Sequence, residues 1–393
     1  MVGDEERARQ LDEVLSDAVT RGTAAGLCAV VVDRDGERYL GAAGSLTAGG
    51  DRPVTPDSVF RIASMTKPLV TVGALALVES GRLGLDDEVA SILPAFAELQ
   101  VLDGFDGDTP VLRPAGTTAT VRQLLTHTSG CGYWFGNANL ARYQELTGLP
   151  DIIESKLGAL NAPLMSDPGT RWEYGTSIDW LGRVIETVSG QDLAAYLGEY
   201  VLGPLGMADT TFSPGPQARE RLVTLHERRE GGGVMVSERD WVEDPEFFAG
   251  GHGLYSTAGD YGRFMRAMLR GGELDGARVL SAESVDLAFS DQLAGLPLPA
   301  LIPTQAPWLV HDVEALPFRQ TWGFGFQLML EDIPGMRHEG SGFWSGVLNT
   351  HFWIDRGSGV AGAVLAQLIP MFDVAMLETV AAFEMAVYAG AAG

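Results

Sequence analysis

Cysteine is scarce in this sequence of 393 residues, which contains only Cys28 and Cys131. One disulfide is arithmetically possible, but two cysteines cannot supply a disulfide framework or a cysteine-rich zinc site. Lysine is equally scarce, because only Lys67 and Lys156 occur among the 27 basic residues. Any chemistry that requires an amine side chain therefore has two candidates.

Basic residues are in deficit, with 27 against 52 acidic residues and a net charge of −25. Such a charge repels phosphate backbones and anionic lipid heads, so neither a nucleic-acid nor a membrane partner is expected. The longest apolar runs, such as residues 69–78, are about half as long as a membrane-spanning helix of roughly 20 residues. The charged N-terminal segment lacks the apolar core and cleavage site of a secretory signal. We therefore expect a soluble, cytoplasmic protein, and the sequence leaves its oligomeric state open.

Several common catalytic signatures are missing from the sequence. No serine lies in a G-x-S-x-G pattern, which excludes the nucleophile elbow of an α/β-hydrolase. No P-loop and no H-E-x-x-H motif occur, and the six histidines are not placed at metal-binding spacings. We therefore expect neither a metal nor a cofactor.

The composition is that of an ordinary globular protein, with 46% hydrophobic and 20% charged residues. An apolar run at 26–32, a turn signal at 33–36 and a returning run at 38–43 predict a β-hairpin. Apolar periodicity and terminal signals predict helices at residues 4–21, 69–83, 177–188, 193–202, 257–270 and 374–388. Apolar runs predict two further strands near the end of the chain, at 344–354 and 360–368.

Strands near both termini and helices in the middle predict the domain organisation. Residues 1–85 and 215–393 are expected to form one α/β domain, into which a mainly helical domain, residues 86–214, is inserted. Within the helical part, Thr120 and Gln123 fit a capping box at the start of a helix. The active site is then expected in the cleft between the two domains.

Ser64 and Lys67 are three residues apart at the start of an apolar helical run. Residues at i and i+3 share a helix face, so the lysine amine is expected beside the serine hydroxyl. A serine hydroxyl needs a neighbouring base to become a nucleophile, and a desolvated lysine amine can supply one. At a helix N-terminus the free N–H of Ser64 also favours a developing oxyanion. The alternative is an ordinary helix start with a surface lysine.

Tyr174 follows a Pro-Gly turn and precedes a predicted helix. A tyrosine that protrudes into the cleft beside a lysine can carry a proton between reacting groups. The alternative is a half-buried tyrosine that packs the loop.

The segment Trp344, Ser345, Gly346 and Val347 begins the first of the two late strands. Glycine at a strand start lets a substrate approach the backbone closely. The N–H of Val347 is then a candidate second oxyanion donor beside that of Ser64. The alternative is a plain core strand with its glycine at a bulge.

Taken together, these segments resemble class C β-lactamases, serine D-Ala-D-Ala peptidases and, most of all, family VIII carboxylesterases. The resemblance covers nearly the whole chain from residue 26. It implies an α+β fold in which an antiparallel sheet is flanked by helices and a mainly helical domain is inserted. The matching motifs are SMTK at 64–67, HTSG at 127–130, the tyrosine motif at 174–176, the glycine-rich segment at 250–258 and WSG at 344–346.

The sequence departs from β-lactamases and penicillin-binding peptidases at two motif positions. Trp344 stands where those enzymes carry the lysine of K-T-G, and Thr176 stands where they carry asparagine. Loss of the cation removes a charge-assisted contact to a substrate carboxylate, on the order of 1.5–3 kcal/mol. These departures favour neutral esters over β-lactams. An alternative register puts His338, Glu339 and Gly340 in the third motif.

The resemblance implies acyl transfer through Ser64, with Lys67 and Tyr174 handling the proton and the N–H groups of Ser64 and Val347 holding the oxyanion. Tyr133, Trp134 and Phe135, together with Trp344 and its neighbours Ser345 and Gly346, are expected to bind the substrate, although core packing explains the aromatic cluster equally well. A small-molecule ester is the expected partner. An acyltransferase, a weak β-lactamase or peptidase, and a non-catalytic binding module remain alternatives.

Overall fold

In the computed structural model, which describes residues 4–239 and 245–389, one seven-stranded antiparallel sheet draws its strands from both ends of the chain. The strands are β1 (Gly26–Asp33), β2 (Glu37–Gly44), β3 (Gln320–Trp322), β4 (Gln327–Met329), β5 (Gly342–Gly346), β6 (Thr350–Asp355) and β7 (Val360–Leu365). Their order across the sheet is β3-β4-β5-β6-β7-β1-β2. The N-terminal hairpin thus joins the C-terminal strands where β1 pairs with β7, with Cys28 opposite Leu365.

Helices cover both faces of this sheet. The long helices are α1 (Asp4–Thr20), α2 (Thr66–Glu79), α3 (Ser177–Ser189), α4 (Ala258–Leu269) and α5 (Val374–Tyr388). Val30 and Val32 of β1 lie in the same core cluster as α4, whereas Leu27, Ala29 and Val31 pack in the cluster with α1 and α5. Because alternate residues of a strand point to opposite faces and both faces are covered, β1 is apolar up to Val32.

The middle of the chain consists mainly of short helices and loops. The shorter α-helices are Val89–Ile92, Pro94–Ala97, Val121–Leu125, Ala138–Thr147, Leu193–Leu197, Pro216–Glu220 and Ala282–Ala288. Single turns of 3₁₀-helix occur at Ala63–Met65, Trp134–Gly136, Ile152–Glu154 and Leu157–Asn161, and a π-helical turn at Gly198–Leu202. The predicted capping box is present, because Thr120 and Gln123 each bond the other's backbone N–H.

Five small sheets complete the described fold. They pair Phe60–Arg61 with Tyr255–Ser256, Val101–Asp106 with Thr109–Arg113, Glu273–Leu274 with Ala277–Arg278, Leu301–Ile302 with Val313–Glu314, and His226–Arg228 with both Val234–Val236 and Leu368–Ile369. Helices combined with mainly antiparallel sheets make this an α+β fold, as the sequence predicts. Among residues 4–239 and 245–389, no helix combines the length and apolar composition that a bilayer crossing requires.

The predicted single strand at 344–354 is wrong, because the chain turns back within it. β5 ends at Gly346 and β6 starts at Thr350, so the segment is a hairpin. Asn349 adopts a left-handed φ of 58°, and its N–H donates to the Gly346 carbonyl at 3.0 Å. The Asn349 amide also donates to the carbonyls of Leu368 and Pro370, which stabilises the turn from a distant segment.

Other predicted elements differ mainly at their ends. The helix predicted at 69–83 is α2, which starts at Thr66 and ends at Glu79, and the helix predicted at 193–202 changes to a π-turn after Leu197. The strand predicted at 360–368 ends at Leu365, and Leu368 joins a different sheet. The division of the chain at residues 86 and 214 stays a prediction.

Candidate active site

Ser64 lies in the 3₁₀ turn Ala63–Met65, which runs directly into α2. The Nζ atom of Lys67, one turn further on, donates to Ser64 Oγ at 2.9 Å. Ala63 adopts a left-handed φ of 43° although it carries a Cβ, a conformation that costs about 1–2 kcal/mol. Such backbone strain persists only where the surroundings enforce it, and here it lies directly before Ser64.

The Lys67 side chain is completely buried. Besides Ser64, its amine donates to the carbonyl of Gly251 at 2.8 Å and to the hydroxyl of Tyr133 at 3.2 Å. A buried amine is costly unless its hydrogens are bonded, and here three acceptors surround it. The amine is therefore held in one position against the Ser64 hydroxyl.

Tyr174 contacts the same serine from the loop that precedes α3. Its hydroxyl donates to Ser64 Oγ at 2.8 Å, and its oxygen accepts the indole N–H of Trp344 at 3.1 Å. The Lys67 amine lies 4.7 Å from the centre of the Tyr174 ring. Hydroxyl, amine and phenol thus converge on one point, as the sequence predicts.

His127 fixes the loop that carries Tyr174. Its carbonyl accepts the N–H of Glu173 at 2.8 Å, and its ring packs against the Tyr174 ring at a centroid distance of 5.0 Å. Burial, with a smaller contribution from Lys67, holds the pKa of His127 well below its ordinary value. His127 is therefore a neutral aromatic wall behind Tyr174 rather than a second cation.

The end of β5 forms the third side of the site. Trp344, Ser345 and Val347 line the same cavity as Ser64. In the part of the chain that the structure describes, the N–H of Val347 has no backbone or side-chain acceptor. It is therefore available to an oxygen in the cavity, as an oxyanion donor must be.

Gly346, predicted to let a substrate approach the backbone, also allows a close approach within the fold. A Cβ at this position would lie 2.5 Å from the Ile62 carbonyl oxygen and 3.2 Å from the Cβ of Ala63. The missing side chain therefore lets β5 approach the turn that carries Ser64.

The cavity in front of Ser64 has a volume of about 320 Å³. Its wall is mainly apolar, and the segment that contains the hairpin Leu301–Ile302 and Val313–Glu314 covers one side. A polar corner is formed by Asn137, Arg171 and Glu173, in which Glu173 binds both of the others. This is the size of pocket that takes a ligand larger than a few carbon atoms.

The three neighbouring aromatic residues have different positions. Tyr133 and Phe135 line the cavity, and their rings stack at 4.9 Å. Trp134 is not among the lining residues, and its indole N–H donates to the Asp151 carboxylate at 2.9 Å. Trp134, which was expected to line the pocket, is therefore held outside the pocket wall by its contact with Asp151.

Sequence reasoning missed several residues of the site. Asp179 and Gly251 stand behind Lys67, and the segment 299–313 forms a cavity wall. Asp179 carries a readable signal, since it is an acid on the otherwise apolar first turns of a helix that starts three residues after Tyr174. No such signal marks the segment 299–313, which reaches the site only through tertiary packing.

The chain is similar in sequence to known proteins. The family model described as beta-lactamase matches residues 11–382. Lovastatin esterase of Penicillium rubens is 32% identical over 382 residues, which cover 92% of this chain and 94% of the esterase. Monacolin J acid methylbutanoyltransferase of Aspergillus terreus is 32% identical over 360 residues, covering 86% of this chain and 83% of the transferase.

A solved structure shares the fold over nearly the full length. The simvastatin synthase of Aspergillus terreus superposes with a TM-score of 0.85 at 29% identity, and 98% of each chain is covered.

Proposed function

The chain belongs to the beta-lactamase family, and from this premise we propose that it is a serine carboxylesterase of the family VIII type. The observation that carries the proposal is the position of Ser64 Oγ, which lies 2.9 Å from the Lys67 amine and 2.8 Å from the Tyr174 hydroxyl. Both groups are within proton-transfer distance of one hydroxyl at the wall of a cavity.

In the proposed reaction, Ser64 Oγ attacks the carbonyl carbon of an ester. The serine proton passes to the coupled pair of Lys67 and Tyr174, which later delivers a proton to the departing alcohol. Water then attacks the acyl-enzyme, returns a proton to Ser64 and releases the carboxylic acid. The N–H groups of Ser64 and Val347 stabilise the oxyanion in both steps. Residues of this chain and the attacking water carry every proton in this scheme, which includes neither a metal nor a cofactor.

Trp344 supports a neutral ester as the substrate. Its indole N–H donates to Tyr174, so this position supplies the site with a neutral donor instead of a cation. The net charge of −25 also disfavours anionic substrates.

A short acyl group joined to a bulkier alcohol suits the cavity. About 320 Å³ leaves room beside an acetyl or butyryl group, and the wall around that space is mostly apolar. A relative described as a methylbutanoyltransferase supports a short acyl group.

The test is the hydrolysis of p-nitrophenyl acetate and butyrate by the wild type and by Ser64→Ala. The proposal predicts turnover by the wild type and a rate for the variant at the level of the uncatalysed reaction. Wild-type rates in Ser64→Ala would exclude the acyl-enzyme on Ser64. Within this proposal the enzyme acts in the cytoplasm on a small molecule.

An acyltransferase is the second candidate, favoured by the similarity to a methylbutanoyltransferase and to simvastatin synthase. In that reaction an alcohol acceptor replaces water in the second step, and the apolar cavity offers it a place beside the acyl group. Product analysis with competing alcohols separates the two reactions, since hydrolysis alone in every mixture rejects transfer.

Two remaining alternatives have simple tests. For a weak β-lactamase, the test is turnover of the chromogenic cephalosporin nitrocefin. We expect this turnover to be weak or absent, because the carboxylate-binding lysine of the third motif is replaced by Trp344.

A non-catalytic binding module would not react with a fluorophosphonate probe, whereas the proposed esterase is labelled at Ser64.

A further inference from the structure

Lys67 is surrounded by as many acceptors as an ammonium group has hydrogens. Ser64 Oγ, the Tyr133 hydroxyl and the Gly251 carbonyl lie 2.9, 3.2 and 2.8 Å from Nζ. The Tyr133 hydroxyl and the Gly251 carbonyl can each accept a hydrogen from the amine, and Ser64 Oγ can accept a third hydrogen from an ammonium or donate its own proton to a neutral amine. The geometry therefore serves the amine before and after it takes up the serine proton, and the completely buried cation that results needs a nearby negative charge.

Asp179 supplies that charge from behind the two bridging groups. Its Oδ1 accepts the N–H of Gly251 at 2.8 Å, and its Oδ2 accepts the Tyr133 hydroxyl at 3.5 Å. Tyr133 and the backbone of Gly251 thus each accept from the amine and donate to the carboxylate. Two parallel bridges connect Lys67 to Asp179 with one consistent direction of donation.

The carboxylate is built into the fold at this position. Its side chain has 0% exposure, and it lies in the first turn of α3, where the helix dipole favours a negative charge. A Cβ on Gly251 would lie 2.5 Å from Asp179 Oδ2, so only glycine lets the bridging backbone come this close.

The titratable groups that face this pair are held neutral by burial. It lowers the pKa of His127 and His252, and it raises the pKa of Tyr133 and Cys131. Tyr174 faces the amine through its ring. These four buried groups therefore offer the amine no negative charge, and Asp179 is the carboxylate linked to it through Tyr133 and Gly251.

The position of His252 suggests an alternative role for the Asp179 carboxylate. Ser155 Oγ lies 3.4 Å from His252 Nε2, and His252 Nδ1 lies 3.8 Å from Asp179, in the order of a Ser-His-Asp triad. The adjoining cavity has a volume of about 20 Å³, which leaves no room for an ester. Asp179 therefore acts on the Lys67 side.

We propose that Asp179 is a positioning residue of the active site, the buried counter-ion that holds Tyr133 and Gly251 against the Lys67 amine and so fixes this amine beside Ser64. This role rests on the proposed function. It also gives Tyr133, expected as a substrate-binding residue, a second task as a bridge.

The experiment compares Asp179→Asn, Tyr133→Phe and the control Glu186→Gln with the wild type, using p-nitrophenyl butyrate across the pH range. Glu186 is a carboxylate of the same helix with 15% exposure, and it accepts the N–H of Leu193 away from the site. Asp179→Asn keeps the shape and removes the charge. Loss of a negative charge favours the deprotonated forms of Lys67 and Tyr174 alike, so the result does not depend on which of them is the base.

For Asp179→Asn we expect kcat to fall roughly tenfold with KM nearly unchanged, and the acidic limb of the kcat/KM profile to move to lower pH by roughly one unit. Tyr133→Phe keeps the charge, so kcat falls and the limb stays in place. Glu186→Gln matches the wild type. An unchanged kcat in Asp179→Asn, or a fall without movement of the limb, overturns the proposal.

Two further outcomes of the experiment also test the proposal. If Asp179→Asn does not fold, judged by its circular dichroism, Tyr133→Phe decides alone, and a wild-type kcat in that variant overturns the role of the bridges. If the wild type hydrolyses no ester and Ser64 is not labelled, the proposed function has failed. If the wild type is active and Asp179→Asn has the same kcat, only the role of Asp179 has failed.

Discussion

The indole N–H of Trp344 donates to the phenolic oxygen of Tyr174 across 3.1 Å. The Tyr174 hydroxyl in turn donates to Ser64 Oγ across 2.8 Å, so a strand residue is linked to the serine through a single phenol. Trp344 stands where β-lactamases and penicillin-binding peptidases carry the lysine of K-T-G, so in this chain a neutral indole occupies that position beside the phenol. In the proposed reaction, this linkage makes the third motif a support of the proton-transferring tyrosine as well as a cavity wall.

The contribution of the Trp344 indole is measured by Trp344→Phe, which keeps an aromatic ring and removes the N–H. We expect kcat to fall by roughly three- to tenfold, the value of one lost hydrogen bond. The matched control is Trp308→Phe, since Trp308 is 40% exposed and outside the cavity wall. Equal kcat values for Trp344→Phe and the wild type would show that the bond does not assist the reaction.

The two lysines of the chain make a second matched pair. Lys67→Met keeps the length of the buried side chain and removes the amine, so we expect kcat to fall by roughly 10²- to 10⁴-fold. Lys156 is 40% exposed and pairs with Glu246 at 3.4 Å, and Lys156→Met should keep the wild-type rate. Steady-state hydrolysis of p-nitrophenyl butyrate distinguishes them, and comparable losses in both variants would contradict a special role for Lys67.

Gly346 is predicted to be sensitive even to alanine. A Cβ there would lie 2.5 Å from the Ile62 carbonyl oxygen, which would push β5 from the turn that holds Ser64. We expect Gly346→Ala to lower the free energy of unfolding by roughly 1–3 kcal/mol and to reduce kcat. Gly36 has no atom within 4 Å of a Cβ placed on it, so Gly36→Ala is the control. Urea denaturation measures both, and equal midpoints would refute the close approach.

A histidine–carboxylate pair far from Ser64 is expected to make stability depend on pH. His338 Nδ1 lies 2.7 Å from Asp355 Oδ2, and this hydrogen bond raises the pKa of His338. Burial opposes ionisation of Asp355, but hydrogen bonds from Ser358, His338 and Tyr388 lower its pKa below the ordinary value. Both groups are charged at mildly acidic pH.

The sign of each contribution follows from the direction of its pKa shift. The His338 contribution is complete below the histidine's unfolded pKa of about 6.5 and is lost as pH rises through the raised folded pKa. The Asp355 contribution is complete above the unfolded pKa of about 3.9 and is lost as pH falls through the lowered folded value. Because the His338 side chain is 49% exposed, we expect no more than about 1 kcal/mol.

Thermal unfolding of the wild type and His338→Gln between pH 4 and 9 measures this contribution. The difference in Tm should be largest between about pH 4 and 6.5 and should shrink towards alkaline pH. A constant difference over the whole range would mean that the pair acts through packing rather than charge.

Local patterns predicted much of the fold. The hairpin of β1 and β2 was readable because an apolar run, a turn signal and a returning run are adjacent in sequence. The break between β5 and β6 was not, because Asn349 turns the chain in the midst of apolar residues and its amide is held by Leu368 and Pro370. Hydrogen bonds to residues so far away in the sequence cannot be recognised in a local sequence pattern.

The candidate site divides in the same way. Ser64 and Lys67 are one helical turn apart, so their proximity follows from helix geometry, and the Tyr174 prediction drew on motif order. Asp179 reaches Lys67 only through the Tyr133 hydroxyl and the Gly251 backbone. Four separate segments, which carry Lys67, Tyr133, Asp179 and Gly251, must fold before that link exists, and no spacing in the sequence encodes it.

The most direct test of the central claim is the site of the covalent intermediate. The enzyme is mixed with p-nitrophenyl butyrate, quenched in acid within the first turnover and digested for peptide mass spectrometry. The account predicts a butyryl group on the Ser64 side chain and none in Ser64→Ala. A butyryl group on another residue, or turnover with no acylated Ser64 at any time point, would contradict it.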